Sequence, residues 1–428
     1  MRKNRFQKAF VLVLVLALFA PLAGCGERMP EVKRNDDPLW SVKLDGANPE
    51  YVEDYKYLWD LLENEYPMLN AAQRITGKNA QDVKQQFYKR IPLAKTPQDF
   101  NNYVVGPCIS AFEGTGHLSV LNDNLYKLYY LVSKPTLQRC SSSMDVYNYS
   151  QLTCPAAAKF YKKQIEEIND RLKEGDAIPA CNTPGNLTFE SYPGSSAGYV
   201  QIKAMNLFSG EDDPEHQALQ SFFRKLEAEH TQNCIIDIRG NPGGNDGYWS
   251  NAIVCPNLRE SVTMENYELI NGDICKTYIT NCYQKDVVSI PLLPKKTLPG
   301  LRAEDIENAR YFIDRSWTFY PSNAQPLYSG RFWLLVDKAN YSASEAFVAF
   351  CKATGFATLV GETTGGDGIG QNPIVFCLSH SGICIRFSAS NGLNPDGSCN
   401  EETGTVPDYP IGANEDALVK CLSLIGST

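Results

Sequence analysis

The fold is decided by Phe332-Trp-Leu-Leu-Val-Asp337 and by the two segments that follow it, Lys338-Ala-Asn-Tyr341 and Ser342-Ala-Ser-Glu-Ala-Phe347. An apolar run meets turn-forming residues, and small, helix-forming residues then begin. This pattern predicts a buried strand, a tight turn and the start of a helix. The first turn of a helix has unpaired backbone N–H groups and a positive dipole end. A serine there, either Ser342 or Ser344, has two interpretations: it caps the helix, or it is a nucleophile whose reaction creates an oxyanion.

The composition argues against one class of partner. The chain has 428 residues, of which 43% are hydrophobic and 21% are charged, so it can bury a large core in two or three domains. Its net charge is -9 and its pI is about 5.2. Nucleic acid is therefore not an expected partner, because phosphate binding requires a basic face.

Residues 1–24 are predicted to be a targeting segment. Its basic residues are Arg2, Lys3, Arg5 and Lys8. The apolar run Ala9–Ala20 is short for a bilayer span, and Leu22-Ala-Gly-Cys25 resembles a bacterial lipobox. That resemblance implies cleavage before Cys25 and a lipid on Cys25; an ordinary signal peptide with a chance cysteine is the alternative. Residues 25–48 would then be a polar tether, and the body would face the periplasm or the cell exterior.

The chain contains 14 cysteines, and 13 remain when Cys25 is set aside. An exported protein can form disulfides, and an odd count leaves at least one thiol without an intramolecular partner. Three local pairs are plausible, although sequence does not fix connectivity: Cys140 with Cys154, Cys275 with Cys282, and Cys377 with Cys384. A zinc site is not expected because no Cys-x-x-Cys spacing occurs and the chain has only four histidines. No cofactor is predicted.

The chain divides into three predicted units. Residues 49–112 show helical periodicity and form a small helical N-terminal domain. Residues 113–195 form a mixed middle segment, in which Leu125 to Leu131 is predicted to be a strand. Strands alternate with helices in residues 196–428, which predicts a parallel sheet with right-handed crossovers. Residues 256–330 interrupt this unit as an insertion that would be a lid or a contact between copies of the chain.

Two further features lie at the mouths of predicted strands. Gly243 and Gly244 follow a buried strand, and glycines allow backbone N–H groups to point into a site. The carboxyl ends of parallel strands share one crevice, so this turn and the serine turn are expected to meet. His117 lies in a glycine-framed loop before a strand, which makes it the best candidate for a general base. The other three histidines are assigned to a solvated helix or a hairpin turn: His216, His230 and His380.

Four ordered motifs resemble those of the C-terminal-processing (tail-specific) and tricorn-core serine peptidases. They are Asp237-Ile-Arg-Gly-Asn-Pro-Gly-Gly244, Val336-Asp337 to Ser342-Ala-Ser-Glu345, Val360-Gly-Glu-Thr-Thr-Gly-Gly366 and Gly404-Thr-Val-Pro-Asp408. Gly116-His117 resembles the Gly-His segment of the same family. The resemblance covers about Gly198–Ile411 apart from the insertion, plus the helical cap. It implies an α/β fold of the crotonase or ClpP type, with a parallel-sheet catalytic domain, a small helical cap and a mixed α+β middle segment.

The resemblance also implies roles for individual residues. Ser342 matches the nucleophile. The amides of Ala343 and of either Gly243 or Gly244 match the oxyanion hole. Asp367 stands where the tail-specific branch has its catalytic lysine, and a carboxylate cannot replace that base, so a Ser–Lys dyad is excluded.

The tricorn-like branch uses a histidine and a downstream glutamate instead. His117 fits that base, and Glu401 fits the acid that orients it, with the neighbouring Glu402 as the alternative. This resemblance and the lipobox-like segment together imply a membrane-anchored extracytoplasmic serine endopeptidase that acts on polypeptides, and a homo-oligomer is compatible with both. Two other functions remain: an inactive peptide- or ligand-binding surface lipoprotein on the same fold, and an acyl-transfer enzyme that uses a thioester. The exported location, away from coenzyme A, argues against the second.

Overall fold

A computed structural model describes residues 29–134, 143–173, 183, 185–207, 210, 212–283 and 286–426. The predicted targeting segment, Cys25 and Cys140 lie outside these residues. Within the described part of the chain, no helix is both long enough and apolar enough to cross a bilayer.

Helices dominate residues 49–173, and strands and helices are interspersed from residue 187 onwards. The helices are α1 (Pro49–Asn64), α2 (Leu69–Thr76), α3 (Ala80–Tyr88), α4 (Pro97–Phe100), α5 (Gly106–Ser110), α6 (Asp123–Ser133), α7 (Ser143–Leu152), α8 (Pro155–Phe160), α9 (Lys162–Lys173), α10 (Pro214–Ala228), α11 (Asp246–Trp249), α12 (Cys255–Asn257), α13 (Asp273–Tyr283), α14 (Ala303–Glu307), α15 (Ala343–Thr354), α16 (Asn400–Thr403) and α17 (Ala417–Gly426). The strands are β1 (Ser119–Val120), β2 (Leu187–Tyr192), β3 (Ala197–Ile202), β4 (Asn233–Asp237), β5 (Val262–Ile270), β6 (Val288–Ser289), β7 (Tyr311–Phe319), β8 (Arg331–Val336), β9 (Ala357–Gly361), β10 (Pro373–Cys377), β11 (Cys384–Ser388), β12 (Asn391–Leu393) and β13 (Tyr409–Pro410).

A six-stranded sheet with the order β13-β9-β8-β4-β3-β2 organises the C-terminal half. All neighbouring pairs are parallel except β2 with β3. Alternate residues of β8 enter two different cores: Leu334 packs in the core shared with α10 and α15, and Trp333 packs with α17. Helices thus cover both faces, as expected for apolar parallel strands. The predicted α/β class is confirmed.

Two smaller antiparallel sheets complete the molecule. One has the order β1-β11-β10, and the helical unit packs on it through a core that joins Trp59 and Tyr66 to Phe376 and Phe387. The other has the order β12-β5-β7-β6. The predicted insertion supplies β5, β6 and β7, and β12 from outside it pairs with β5. Most of the insertion is therefore built into the body of the protein through this sheet.

One secondary-structure prediction is wrong. Leu125 to Leu131 lies in helix α6 rather than in a strand. The Asn122 side chain accepts a hydrogen bond from the Leu125 amide and caps the helix, and the buried Tyr126 and Tyr130 lie four residues apart on one face. The capping asparagine and this helical spacing outweigh the β-propensity of the aromatic residues.

Two smaller predictions are also wrong. Cys275 and Cys282 lie on one helix, α13, where a spacing of seven residues separates the Cα atoms by about 10 Å. A disulfide requires Cα atoms within about 7 Å, so the two cannot pair in this fold. His216 was assigned to a solvated surface, but it is 5% exposed in the first turn of α10.

Candidate active site

The turn between β8 and α15 presents Ser342 in a strained backbone conformation. Its φ is 58° and its ψ is -126°, and its side chain makes no capping hydrogen bond. Ser344 has the structural role instead: its hydroxyl accepts from the Tyr341 amide at 3.0 Å and donates to the Asn241 carbonyl at 2.7 Å. The Ser342 hydroxyl therefore does not cap the helix and is available to react. The Ser344 hydroxyl, by contrast, stabilises the turn.

His117 reaches this turn from a loop that the helical unit holds in place. Tyr66 donates from its hydroxyl to the Thr115 carbonyl at 2.7 Å. Gly116 has a φ of 56°, which favours glycine, and a Cβ atom there would lie 2.5 Å from the sulfur of Met68. The His117 imidazole then places Nε2 3.2 Å from Oγ of Ser342, although 225 positions separate the two residues. The structure thus brings the predicted base to the predicted nucleophile.

The acid beside the imidazole is Asp367. With its proton on Nδ1, His117 donates to Oδ2 of Asp367 at 2.5 Å, and Nε2 accepts from Ser342. Ser388, at the end of β11, donates from its hydroxyl to the same Oδ2 at 2.8 Å and lies 3.1 Å from Nδ1. The Asp367 side chain is 1% exposed. This carboxylate can hold the productive tautomer and stabilise the imidazolium that forms when His117 takes a proton.

The prediction that Glu401 orients His117 directly is corrected by this geometry. Glu401 accepts from the Tyr341 hydroxyl at 3.0 Å, and the same hydroxyl lies 3.3 Å from Oδ2 of Asp367. The loop after β9 causes the difference: at Gly366 a Cβ would lie 2.4 Å from the Asn400 carbonyl, so this loop passes directly over the Glu401 segment. Asp367 thus takes the place beside the ring. The alternative, Glu402, binds Arg74 instead.

Two other carboxyl groups, those of Glu401 and Glu345, lie close enough to Asp367 to interact with it electrostatically. Burial, and after it the charge of Asp367, raises the pKa of Glu401 well above its usual range. Burial also raises the pKa of Glu345 to about 7, although hydrogen bonds to Thr364, Thr405 and Asn400 oppose that rise. Neighbouring carboxylates repel each other, so these carboxyl groups do not readily ionise at the same time. Burial and the neighbouring carboxyl group thus both favour the neutral form of Glu401.

The three predicted oxyanion-hole residues line the same turn. A Cβ at Gly243 would lie 2.8 Å from the Ala343 amide nitrogen, so the glycine loop touches the start of α15. The Gly243 amide already donates to Oδ1 of Asn241 at 2.9 Å. Among the described residues, the amides of Gly244 and Ala343 have no acceptor. The choice left open by sequence therefore favours Gly244, paired with Ala343.

Asparagine and aspartate side chains lock the two loops together. Asn340 donates to the carbonyls of Ile238 and Asn241, at 2.5 and 3.3 Å. Asp337 accepts from the Gly240 amide at 3.0 Å. The nucleophile turn and the glycine loop thus form one rigid unit, as an oxyanion hole requires.

Sequence analysis missed Tyr341, Ser388 and the role of Asp367. Asp367 had a usable signal, because it follows Gly365-Gly366 at the carboxyl end of the strand next to β8. No sequence pattern indicated a role for Ser388, because this residue belongs to a separate sheet. No cluster of three or more His, Cys, Asp or Glu side chains that could hold a metal ion occurs in the part of the chain that the structure describes.

Comparisons with known proteins point to one family. Residues 196–411 match the sequence model of Peptidase family S41. The carboxy-terminal processing protease CtpB of Bacillus subtilis is 24% identical over 218 residues, which are 51% of this chain and 34% of CtpB. The match thus spans about a third of that relative's length.

Solved structures share the fold. The crystal structure of a candidate peptidase from Parabacteroides merdae has a TM-score of 0.52 at 18% identity and covers 89% of this chain and 97% of its own. Mature CPAF complexed with lactacystin has a TM-score of 0.51 at 12% identity and covers 88% of this chain and 97% of its own. At these identities the likeness concerns the fold alone.

Proposed function

This chain belongs to peptidase family S41, and from that premise we propose that it is a serine peptidase that hydrolyses peptide bonds through Ser342, His117 and Asp367. The observation that carries the proposal is the 3.2 Å contact between Nε2 of His117 and Oγ of Ser342, with Asp367 at 2.5 Å on the other ring nitrogen. A helix-capping serine would not require an imidazole brought from a distant loop.

The proposed reaction is acyl transfer in two steps. Oγ of Ser342 attacks the peptide carbonyl while Nε2 of His117 takes the hydroxyl proton, and the amides of Gly244 and Ala343 bind the oxyanion. His117 then gives that proton to the leaving amine. A water molecule repeats the sequence on the acyl-enzyme, releasing the carboxylic acid and restoring the serine. In both steps, Asp367 stabilises the positive charge that the imidazole carries while it holds the proton.

Cleavage of unfolded polypeptides tests this assignment. We expect the wild-type chain to cleave members of a panel of denatured proteins, and Ser342→Ala to lose that cleavage because the attacking oxygen is gone. Ser289→Ala is the matched control, since Ser289 is exposed on β6 and distant in sequence from every motif. Equal cleavage by Ser342→Ala and wild type would remove Ser342 from the mechanism.

We also propose that the protein is exported and anchored through a lipid on Cys25. The support is sequence alone: the basic start, the apolar run and the lipobox-like Leu22-Ala-Gly-Cys25. Growth of an expressing bacterium with a labelled fatty acid tests it. The label should enter wild type and be absent from Cys25→Ser, and equal labelling of both proteins would contradict the anchor.

A further inference from the structure

Three thiols lie together outside the catalytic site. The sulfur atoms of Cys154 and Cys377 are 3.0 Å apart. Cys384 stands directly opposite Cys377 on the antiparallel neighbour strand. Cys154, just before α8, is half-buried, whereas Cys377 and Cys384 are buried. Cys154 therefore gives solvent access to an otherwise enclosed group.

The contact between Cys154 and Cys377 follows two contacts that α7 makes with β10. Strand β10 is an edge strand, and α7 covers that edge. Asn148 accepts from the Val375 amide at 3.0 Å, and Gln151 accepts from the Cys377 amide at 3.2 Å. Cys154 follows Gln151 by three residues, two positions after α7 ends and immediately before α8. Two side-chain to backbone hydrogen bonds thus hold the chain in the register that brings the two sulfur atoms together.

We propose that Cys154 and Cys377 form a disulfide in the exported protein, with Cys384 left as a thiol beside it. The inference depends on the extracytoplasmic location proposed above and not on peptidase activity. The oxidant is a disulfide compound or a disulfide-carrying oxidoreductase, as found in such compartments. One thiolate attacks that disulfide and releases one thiol. The second cysteine then attacks the mixed disulfide, so that two protein thiols become one disulfide and the oxidant becomes two thiols.

Cys384 is the competing partner, and geometry favours Cys154. Cys384 donates its backbone amide to the Tyr161 hydroxyl at 3.3 Å, and its thiol is directed to the Gly382 carbonyl at 3.8 Å. The Cys377 thiol interacts with both neighbours, and its sulfur lies 3.0 Å from that of Cys154. The hydrogen bond with Cys377 and burial raise the pKa of the Cys154 thiol far above its usual value. Because the thiolate is the reacting form, bond formation in the folded protein should accelerate as pH rises.

The proposed bond would connect the middle helices to the side of the molecule that supports His117. Strand β11 pairs with β10 on one side and with β1 on the other. Strand β1 begins two residues after His117, and β11 ends at Ser388, which contacts the imidazole. The disulfide would thus hold helices α7 and α8 against the sheet from which the base and one of its supports emerge.

Peptide mapping under non-reducing conditions tests the bond. The purified full chain is incubated with a glutathione redox mixture, alkylated, digested and analysed by mass spectrometry. We expect one cross-linked pair that contains Cys154 and Cys377, with Cys384 alkylated. Alkylation of both Cys154 and Cys377, or a link from either residue to any other cysteine, including Cys140 or Cys384, overturns the proposal. Protein alkylated directly in the cell envelope should give the same map if the proposed location is correct.

Thermal unfolding with and without a reductant gives a second test. It measures the change in melting temperature on reduction, which a general loss of stability in a variant would not alter. The melting temperature of wild type should fall by a few degrees on reduction, because the cross-link no longer restricts the unfolded chain. Cys384→Ala, the matched control, should keep that difference. Cys154→Ala should lose it, since the bond cannot form. A reductant effect in Cys154→Ala equal to that of wild type would contradict the assignment.

Discussion

Ser342, His117 and Asp367 are three of the six non-glycine residues with positive φ in the described part of the chain. Their φ angles are 58°, 58° and 51°. Each such residue costs on the order of 1–3 kcal/mol and persists only where the surroundings impose it. The Ser342 amide donates to the Gly366 carbonyl at 3.1 Å, and the His117 amide donates to the Tyr341 hydroxyl at 3.3 Å. Strain that coincides with these three residues supports a functional constraint on the group.

The identity of the acid is a prediction at this scale. Asp367→Asn should lower kcat on the order of 10³–10⁴-fold, because an amide oxygen can neither carry the charge that stabilises imidazolium nor enforce the tautomer. Glu401→Gln should lower kcat only roughly fivefold, since it changes one hydrogen bond worth about 1 kcal/mol. Steady-state cleavage of one fluorogenic peptide measures both. A larger loss in Glu401→Gln than in Asp367→Asn would restore Glu401 as the orienting acid.

Glu345 predicts a pH dependence of stability. Burial raises its pKa to about 7 from 4.5, so the folded state binds a proton more tightly than the unfolded chain between those values. The Glu345 carboxyl makes its full contribution to stability below pH 4.5. That contribution is lost as the pH rises from 4.5 through about 7. In Glu345→Gln this loss disappears, so its stability relative to wild type should rise by about 2 kcal/mol from roughly pH 5 to pH 8.

Urea unfolding of both proteins at the two pH values measures that change. The comparison between variant and wild type cancels the titration of all other groups. A relative stability that stays constant, or falls, with rising pH would show that Glu345 is not protonated in the folded protein.

Loops at the carboxyl ends of parallel strands carry the proposed nucleophile, the proposed oxyanion hole and the proposed acid. The glycine loop after β4 approaches the serine turn closely: a Cβ at Gly243 would lie 2.4 Å from the Tyr341 carbonyl. Only glycine allows this contact, and its φ of 98° also excludes most side chains. The position of the Gly244 amide thus depends on Gly243, whose own amide is bonded to Asn241.

Gly243→Ala should therefore reduce kcat on the order of 10²-fold by displacing an oxyanion donor. Gly240→Ala is the control in the same loop: its φ is 79°, but a Cβ there meets nothing within 4 Å. Both substitutions strain the backbone, and only the first pushes on the nucleophile turn. Equal kcat losses in the two variants would mean that backbone strain, not the close approach, is the cause.

The sequence predicted the elements whose pattern is local. Apolar strands followed by capped or glycine-bearing turns located β4, β8 and the start of α15, and therefore Ser342. The pairing of β12 with the insertion and the arrival of Ser388 beside His117 depend on contacts between distant segments. Periodicity carries no information about such contacts. Asp367 is an intermediate case. Its position at the carboxyl end of a strand could be predicted from the sequence, but its contact with the imidazole could not.

At the scale of the whole molecule, a partly buried ion network joins the helical unit to the C-terminal unit. Arg74 of α2 donates to Glu402 at 2.8 Å and to Asp305 at 2.8 Å. The Asp305 side chain is 2% exposed and that of Arg74 is 21% exposed. Glu402 is adjacent to Glu401, so the network also fixes the segment behind the catalytic acid.

Arg74→Ala should lower the free energy of unfolding by about 3 kcal/mol, at the lower end for breaking a buried pair, because Asp305 loses its partner. Lys56→Ala, which removes an exposed pair with Glu53, should cost less than about 1 kcal/mol. Denaturant unfolding of both variants makes the comparison. Similar small effects would show that the network contributes little to joining the units.

The central claim is that an imidazole from the N-terminal half activates one serine in the C-terminal half. Labelling with a fluorophosphonate probe, followed by peptide mapping, tests it most directly, because the probe reacts with an activated serine without requiring the natural substrate. We predict a single adduct on Ser342, slowed by orders of magnitude in His117→Ala and unaffected in Ser289→Ala. Labelling at another serine, or labelling of Ser342 at the same rate without His117, would contradict the account.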